Sequence, residues 1–158
     1  MVTAVVVVGS FGFWGYALSG TAAKDPPDTL TDENYRRSAQ ALCQPLRDAI
    51  DALPPAPSAT SPQDRAEVLG VANDRVVEMV AGLRTLQPDP ARDQRIVTEW
   101  LADWERYLTD RGDYLAVLRE GRDEPFRLTL KDGNNYTKAM DNLAEINDMP
   151  ACATPGDV

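Results

Sequence analysis

Histidine is absent from the 158 residues, and cysteine occurs only twice, at Cys43 and Cys152. Without histidine the chain lacks the commonest general base and the commonest metal ligand. The two cysteines stand far apart and form no CxxC pair, which disfavours both a zinc site and a redox motif. Basic residues are also in short supply, 16 against 25 acidic, for a net charge of −9. A protein that holds nucleic acid through phosphate needs a basic patch, so that class of partner is not expected. No GxSxG elbow, phosphate-binding glycine loop or dinucleotide fingerprint is present, and no cofactor is expected. Asp132-Gly133-Asn134-Asn135 has its glycine too early for a calcium loop.

Charge is missing altogether from the first 23 residues; the first charged side chain is Lys24. The run from Val2 to Ala23 supplies the roughly 20 apolar residues needed to cross a bilayer, with Trp14 and Tyr16 late in it. A cleavable signal peptide with its core at Val5–Leu18 is the rival reading, small Thr21 and Ala23 allowing a cut before Lys24. Either element ordinarily follows Lys or Arg, and here only Met1 precedes Val2, so a short basic tail upstream is expected. Asp25, Asp28, Asp32 and Glu33 crowd the segment that follows. That acidity gives no reason to retain it in the cytoplasm and opposes docking on anionic lipid. Outside the cytoplasm an isolated cysteine pair oxidises, so a Cys43–Cys152 bridge is expected.

The remaining sequence reads as helices. Lys24–Leu30 is a proline-containing spacer, stiff and extended. Thr31 is positioned to cap a first helix reaching about Leu53, with a stripe of Tyr35, Ala39, Leu42, Leu46, Ile50 and Leu53, and Pro45 should kink it. Residues 54–62, with four prolines and no charge, form an exposed linker. Ser61-Pro62 then caps a second helix ending at Pro88, and Asp89-Pro90 opens a long third one to about residue 120, closed by Gly121. Phe126–Leu130 alternates like a strand that turns at Asp132-Gly133, and Thr137 is placed to cap a last short helix. The expected fold is all-α. It has a transmembrane or signal helix at 1–23, a spacer at 24–30, and an antiparallel four-helix bundle-like domain at 31–158 with a short β-hairpin-like insertion.

The densest pattern is Trp100–Arg111, where Trp100, Trp104 and Tyr107 share one helix face. As a surface they would bind a ligand or partner; as a bundle core they would stack, which the continuation into Leu115 and Leu118 favours. Arg106 and Asp110 are spaced for a helical ion pair, and Asp103 and Arg111 read as solvated charges. Arg111-Gly112-Asp113 spells an adhesion tripeptide, but shuffling this composition produces one in roughly 9 % of chains, so it is a weak signal. Asn135-Tyr136-Thr137 is a glycosylation sequon, meaningful only in a eukaryote.

Trp100–Arg111 with Tyr114, Leu118-Arg119 and Pro125-Phe126, together with the ending Met149–Val158, resembles an uncharacterised family of small single-pass envelope proteins of high-GC actinobacteria. The resemblance covers residues 35–158. It implies a membrane-anchored, extracytoplasmic helical domain with a Cys43–Cys152 bridge, and no activity. The function expected is therefore a non-enzymatic interaction or accessory role toward another envelope or membrane protein. An extracytoplasmic ligand-binding or sensor domain using Trp100, Trp104 or Tyr107 is one alternative. A cell-wall hydrolase is another, and it would need two carboxylates about 5–10 Å apart in one cleft.

Overall fold

A computed structural model describes residues 26–158, and the expected membrane or signal segment at 1–23 lies outside them. Among the described residues no helix is long and apolar enough to cross a membrane. Four α-helices make up the fold: α1 (Glu33–Asp51), α2 (Pro62–Thr85), α3 (Ala91–Arg119) and α4 (Thr137–Ile146). Short 3₁₀ turns at Ala56–Ser58 and Pro150–Cys152 complete them, and no strand occurs among the described residues.

The cap of α1 is Asp32, one residue beyond Thr31. Its carboxylate accepts the Asn34 and Tyr35 amides at 3.0 Å each. Asp32 also accepts the Asp89 amide at 3.0 Å, and these donors, Tyr35 foremost and Asp89 next, hold its carboxyl below the ordinary value of 3.8. Thr31 is taken instead by a carboxylate from α3, described below. The helix continues through Pro45 to Asp51 and buries Tyr35, Ala39, Cys43 and Ile50. Ser61 caps α2 as the Ser-Pro signal suggests, its hydroxyl accepting the Asp64 amide at 3.1 Å. The inner face of α2 is Leu69, Ala72, Val76, Met79, Val80 and Leu83, all buried. At Gly82 the first two helices nearly touch, since a Cβ there would lie 2.7 Å from Leu42 Cδ1.

The longest helix, α3, packs most extensively on α2 and also carries α4. It ends in a Schellman motif, with Arg122 N–H on Val117 O at 3.2 Å and Gly121 N–H on Leu118 O at 2.9 Å. Gly121 supplies the left-handed residue this motif needs, at φ 79°.

The hairpin-like insertion is confined to one bridge. Lys131 and Asn134 exchange two 2.9 Å backbone bonds around Asp132-Gly133. Residues 126–130 carry no strand assignment. The Thr129 amide, which a partner strand could accept, donates instead to the Asp110 carboxylate at 2.8 Å. Thr137 opens α4 rather than capping it; its amide donates to Asn135 Oδ1 at 2.9 Å. Nor is the stretch before α1 a free spacer from Pro26 on. Leu30 is fully buried, and its amide donates to Asn147 at 2.6 Å.

Cys43 of α1 and Cys152 of the last 3₁₀ turn are disulfide-bonded, with Cα atoms 5.3 Å apart. The bridge clamps the C-terminal segment across the bundle and lies entirely inside it.

Candidate functional site

The broadest concavity described lies at one end of the bundle, where α1 stops, the proline-rich connection runs, and α2 starts. Pro54, Pro55 and Pro57 cannot continue α1, and together with the 3₁₀ turn they hold this connection away from the helices. Beneath it opens a groove of about 520 Å³, walled by Ile50, Leu53, Val68, Leu69 and Ala72 and bordered by Gly156 and Asp157. Its charged rim is partly self-neutralised. Arg47 Nε lies 3.0 and 3.1 Å from the Asp51 oxygens, while the Arg47 Nη1 group donates to Ala153 O at 3.3 Å. Asp64 accepts from the Thr60 hydroxyl, which with Ser61 holds its carboxyl below the ordinary value. The Arg65 guanidinium lies over the Tyr114 ring, 5.2 Å from its centre.

Next to the groove the last residues of the chain reach a buried arginine. Arg111 has no exposed surface. Its Nη1 and Nη2 groups donate to the two Asp157 oxygens at 2.6 and 2.7 Å, a bidentate fork. Nε donates to Asn73 Oδ1 at 2.6 Å, and Nη1 also donates to the Tyr107 hydroxyl oxygen at 3.3 Å. The Tyr107 hydroxyl in turn donates to Pro155 O at 3.4 Å. Burial opposes the Arg111 charge, but the Asp157 carboxylate more than offsets it and holds the guanidinium above its ordinary value. Reading Arg111 as a solvated charge is therefore corrected: the carboxylate brought to it makes its burial tolerable. The Arg111-Gly112-Asp113 tripeptide accordingly sits within α3 with its arginine turned inward.

Asp103 is likewise not simply solvated. It is buried and receives the Lys131 ammonium at 2.7 Å on both oxygens. Asp110 does not pair with Arg106. It accepts from the Thr129 hydroxyl at 2.5 Å and the Tyr136 hydroxyl at 2.6 Å, and Arg106 lies over the Tyr136 ring instead. Asp93, fully buried, accepts the Thr31 amide at 2.6 Å, the Thr31 hydroxyl at 3.0 Å and the Asp32 amide at 2.9 Å through one oxygen. The buried carboxylates are thus engaged from two sides, Asp93 by the segment that enters α1 and Asp103 and Asp110 by the connection between α3 and α4. No group of three or more potential metal ligands occurs among the described residues.

The aromatic residues singled out by sequence do come together, but inside the core. Trp100, Trp104 and Tyr107 keep 3, 0 and 2 % of their surface. They stack edge to face, with centroids 6.2 Å apart between the indoles and 5.7 Å between Trp104 and Tyr107. Phe126 of the loop continues the ladder at 6.1 Å from Tyr107. None of the three lines the proline-walled groove. Asn135 of the sequon is exposed just ahead of α4.

The sequence does not single out Asp93, Asn147 or Asp157, and it places Arg111 in the wrong surroundings. For two of them a signal exists. Positions 93, 97, 100, 104, 107, 111, 114 and 118 follow one uninterrupted three-four spacing, so Asp93 and Arg111 occupy core positions of the stripe. A charge in such a register needs a buried partner, although spacing does not name it. Comparison with protein-family models, curated proteins and solved structures finds no match for this chain.

Proposed function

We propose that this chain is a non-enzymatic accessory protein of the cell envelope. Residues 2–23 hold it in the membrane as a single-pass anchor, its helical domain stands outside the cytoplasm, and it contacts another envelope or membrane protein. The observation that carries the reading is the buried Cys43–Cys152 bridge, because structural disulfides persist in oxidising compartments. The way the chain enters the domain supports an oriented presentation. Arg92 donates to Pro27 O at 2.5 Å and Thr29 O at 2.7 Å, and Asn147 donates to Asp28 O at 3.1 Å. These bonds join the entering segment to the beginning of α3 and the end of α4. The proline-walled groove is at the other end of α1, a helix of 19 residues or about 28 Å. An anchor emerging from the pinned end presents the groove away from the bilayer, where a partner can reach it.

The test uses the full-length protein in its native membranes. An impermeant amine reagent applied to intact cells should label the exposed Lys138. Purification in mild detergent should return the chain with one stoichiometric envelope partner. Recovery always alone, or Lys138 labelled only after lysis, would sink the proposal. The groove also favours a second reading, an extracytoplasmic domain for a small ligand; that ligand would sit there rather than on Trp100, Trp104 and Tyr107.

A further inference from the structure

The Arg111 guanidinium of α3 grips the Asp157 carboxylate, and two neighbours cradle the guanidinium itself: Asn73 Oδ1 of α2 accepts from Nε and the Tyr107 hydroxyl oxygen of α3 accepts from Nη1. Such a cradle, built from packed helical residues around a fully buried cation, is a receptor for a planar anion. What fills it is not another packed element. It is Asp157, the penultimate residue of a segment without regular structure, reached through exposed Gly156. The same Asp157 and Gly156 border the groove, so the residue that satisfies Arg111 also forms part of the groove wall. Asp157 thus stands between the groove, an apolar space of about 520 Å³, and a buried guanidinium that Asn73 and Tyr107 hold in place. Small-molecule sites have this composition, mostly apolar with a few convergent polar groups, and about this size.

We infer that this cleft binds an aliphatic monocarboxylate, its chain in the proline-walled groove and its carboxylate on Arg111, with Asp157 as a built-in competitor. Exchange conserves the buried ion pair, because one carboxylate replaces another in the same fork and Asp157 passes to water. Lining by Ile50, Leu53, Leu69 and proline rings suits an alkyl chain. The tethered Asp157 competes at an effective concentration of about millimolar or above, so the intact chain binds weakly and loss of the side chain unmasks the site. The inference does not depend on the anchor, the compartment or the envelope partner.

The test is calorimetric titration with hexanoate against wild type and Asp157→Ala, with 1-hexanol as the probe of equal length without the carboxylate. Hexanoate should bind the variant at least about ten-fold more tightly than wild type, and hexanol should show no such difference. Should Asp157→Ala fail to fold, wild type decides: saturating hexanoate, but not hexanol, should accelerate hydrogen exchange of the Gly156 and Asp157 amides. Equal hexanoate affinity in the two folded proteins, equal discrimination by hexanol, or unaltered exchange of those amides would overturn the inference. So would tight binding of a synthetic peptide of the last six residues to the variant when hexanoate does not bind, since the site would then recognise only its own tail.

Discussion

Replacing both Cys43 and Cys152 by alanine should be among the most damaging changes this domain can sustain. The bridge joins residues 109 apart in sequence. In the chain-entropy model, closing a loop of that length removes about 5 kcal/mol of conformational freedom from the unfolded ensemble. A small domain has a total stability of about 5–15 kcal/mol, so between a third and all of it is at stake. The assay is urea unfolding followed by tryptophan emission and by far-ultraviolet circular dichroism, since Trp100 and Trp104 are buried beside the region the bridge closes. The midpoint should fall, and the slope should rise because the opened chain exposes more surface when it unfolds. Cys43→Ala and Cys152→Ala alone should each match the double variant to within about 1 kcal/mol, because either opens the same loop. A loss under about 1 kcal/mol with an unchanged slope would refute the reasoning. It would mean that Arg47, Arg111 and Asp141, which also hold the last residues, confine the chain without the bridge.

Two glycines should respond oppositely to alanine. Gly121→Ala should destabilise by about 1–2 kcal/mol, because φ is 79° and a Cβ would lie 2.6 Å from Gln63 Nε2. Gly112→Ala, inside α3 with nothing within 4 Å of its Cβ, should stabilise by about 1 kcal/mol; urea midpoints read both. Burial, the leading cause in each case, raises the hydroxyls of Tyr35, Tyr107, Tyr114 and Tyr136 above their ordinary value of 10.0. An unfolded tyrosine ionises near pH 10, so this stability is complete below pH 10 and is lost as the pH rises further. Absorbance at 295 nm should accordingly rise together with loss of the circular dichroism signal. Ordinary ionisation of these tyrosines in a still-native protein would contradict it. At the acid end Asp32 is depressed below 3.8, mainly by the Tyr35 and Asp89 amides, so its contribution is present above about pH 4 and is lost below. Asp32→Asn should therefore differ from wild type in urea midpoint at pH 6, with the difference narrowing at pH 2.

The helices and their termini were legible because each rests on a local device. Ser61-Pro62 starts α2, Gly121 closes α3, and the stripes of α2 and α3 keep a three-four spacing without a break. Thr31 and Thr137 misled for different reasons. Asp93 accepts from both the amide and the hydroxyl of Thr31 and fixes it one residue ahead of the cap, whereas Thr137 already lies inside α4, its hydroxyl on Asn135 Oδ1 two residues back. Local capping rules see a donor and an acceptor within a few residues; they do not see a carboxylate arriving from 62 residues away. The alternation of Phe126–Leu130 had the right faces, and Phe126 and Leu128 do pack on the core. Periodicity could not show that a carboxylate on α3 would take the Thr129 amide. The groove was legible only as a proline-rich break, since its walls come from segments that converge through the tertiary fold.

The buried polar residues of α3 share a role, which clarifies why a bundle this small tolerates them. Each fastens one stretch of irregular chain. Asp93 holds the entry at Thr31 and Asp32, Asp103 holds Lys131, Asp110 holds Thr129 and Tyr136, and Arg111 holds Asp157. An irregular segment has no ladder of its own, so its amides and charges need partners on a rigid element when they are brought against the core. Buried ion pairs add little net stability relative to apolar residues of the same size, yet breaking one side is expensive, about 3–5 kcal/mol. Their effect here is to tie each irregular stretch to α3: Asp103 and Asp110 both fasten the connection from α3 to α4, Asp93 the entry into α1, and Arg111 the stretch beyond the last 3₁₀ turn. Of the four, Arg111 alone is a cation paired with a carboxylate, so it alone can exchange its partner in kind for an external carboxylate.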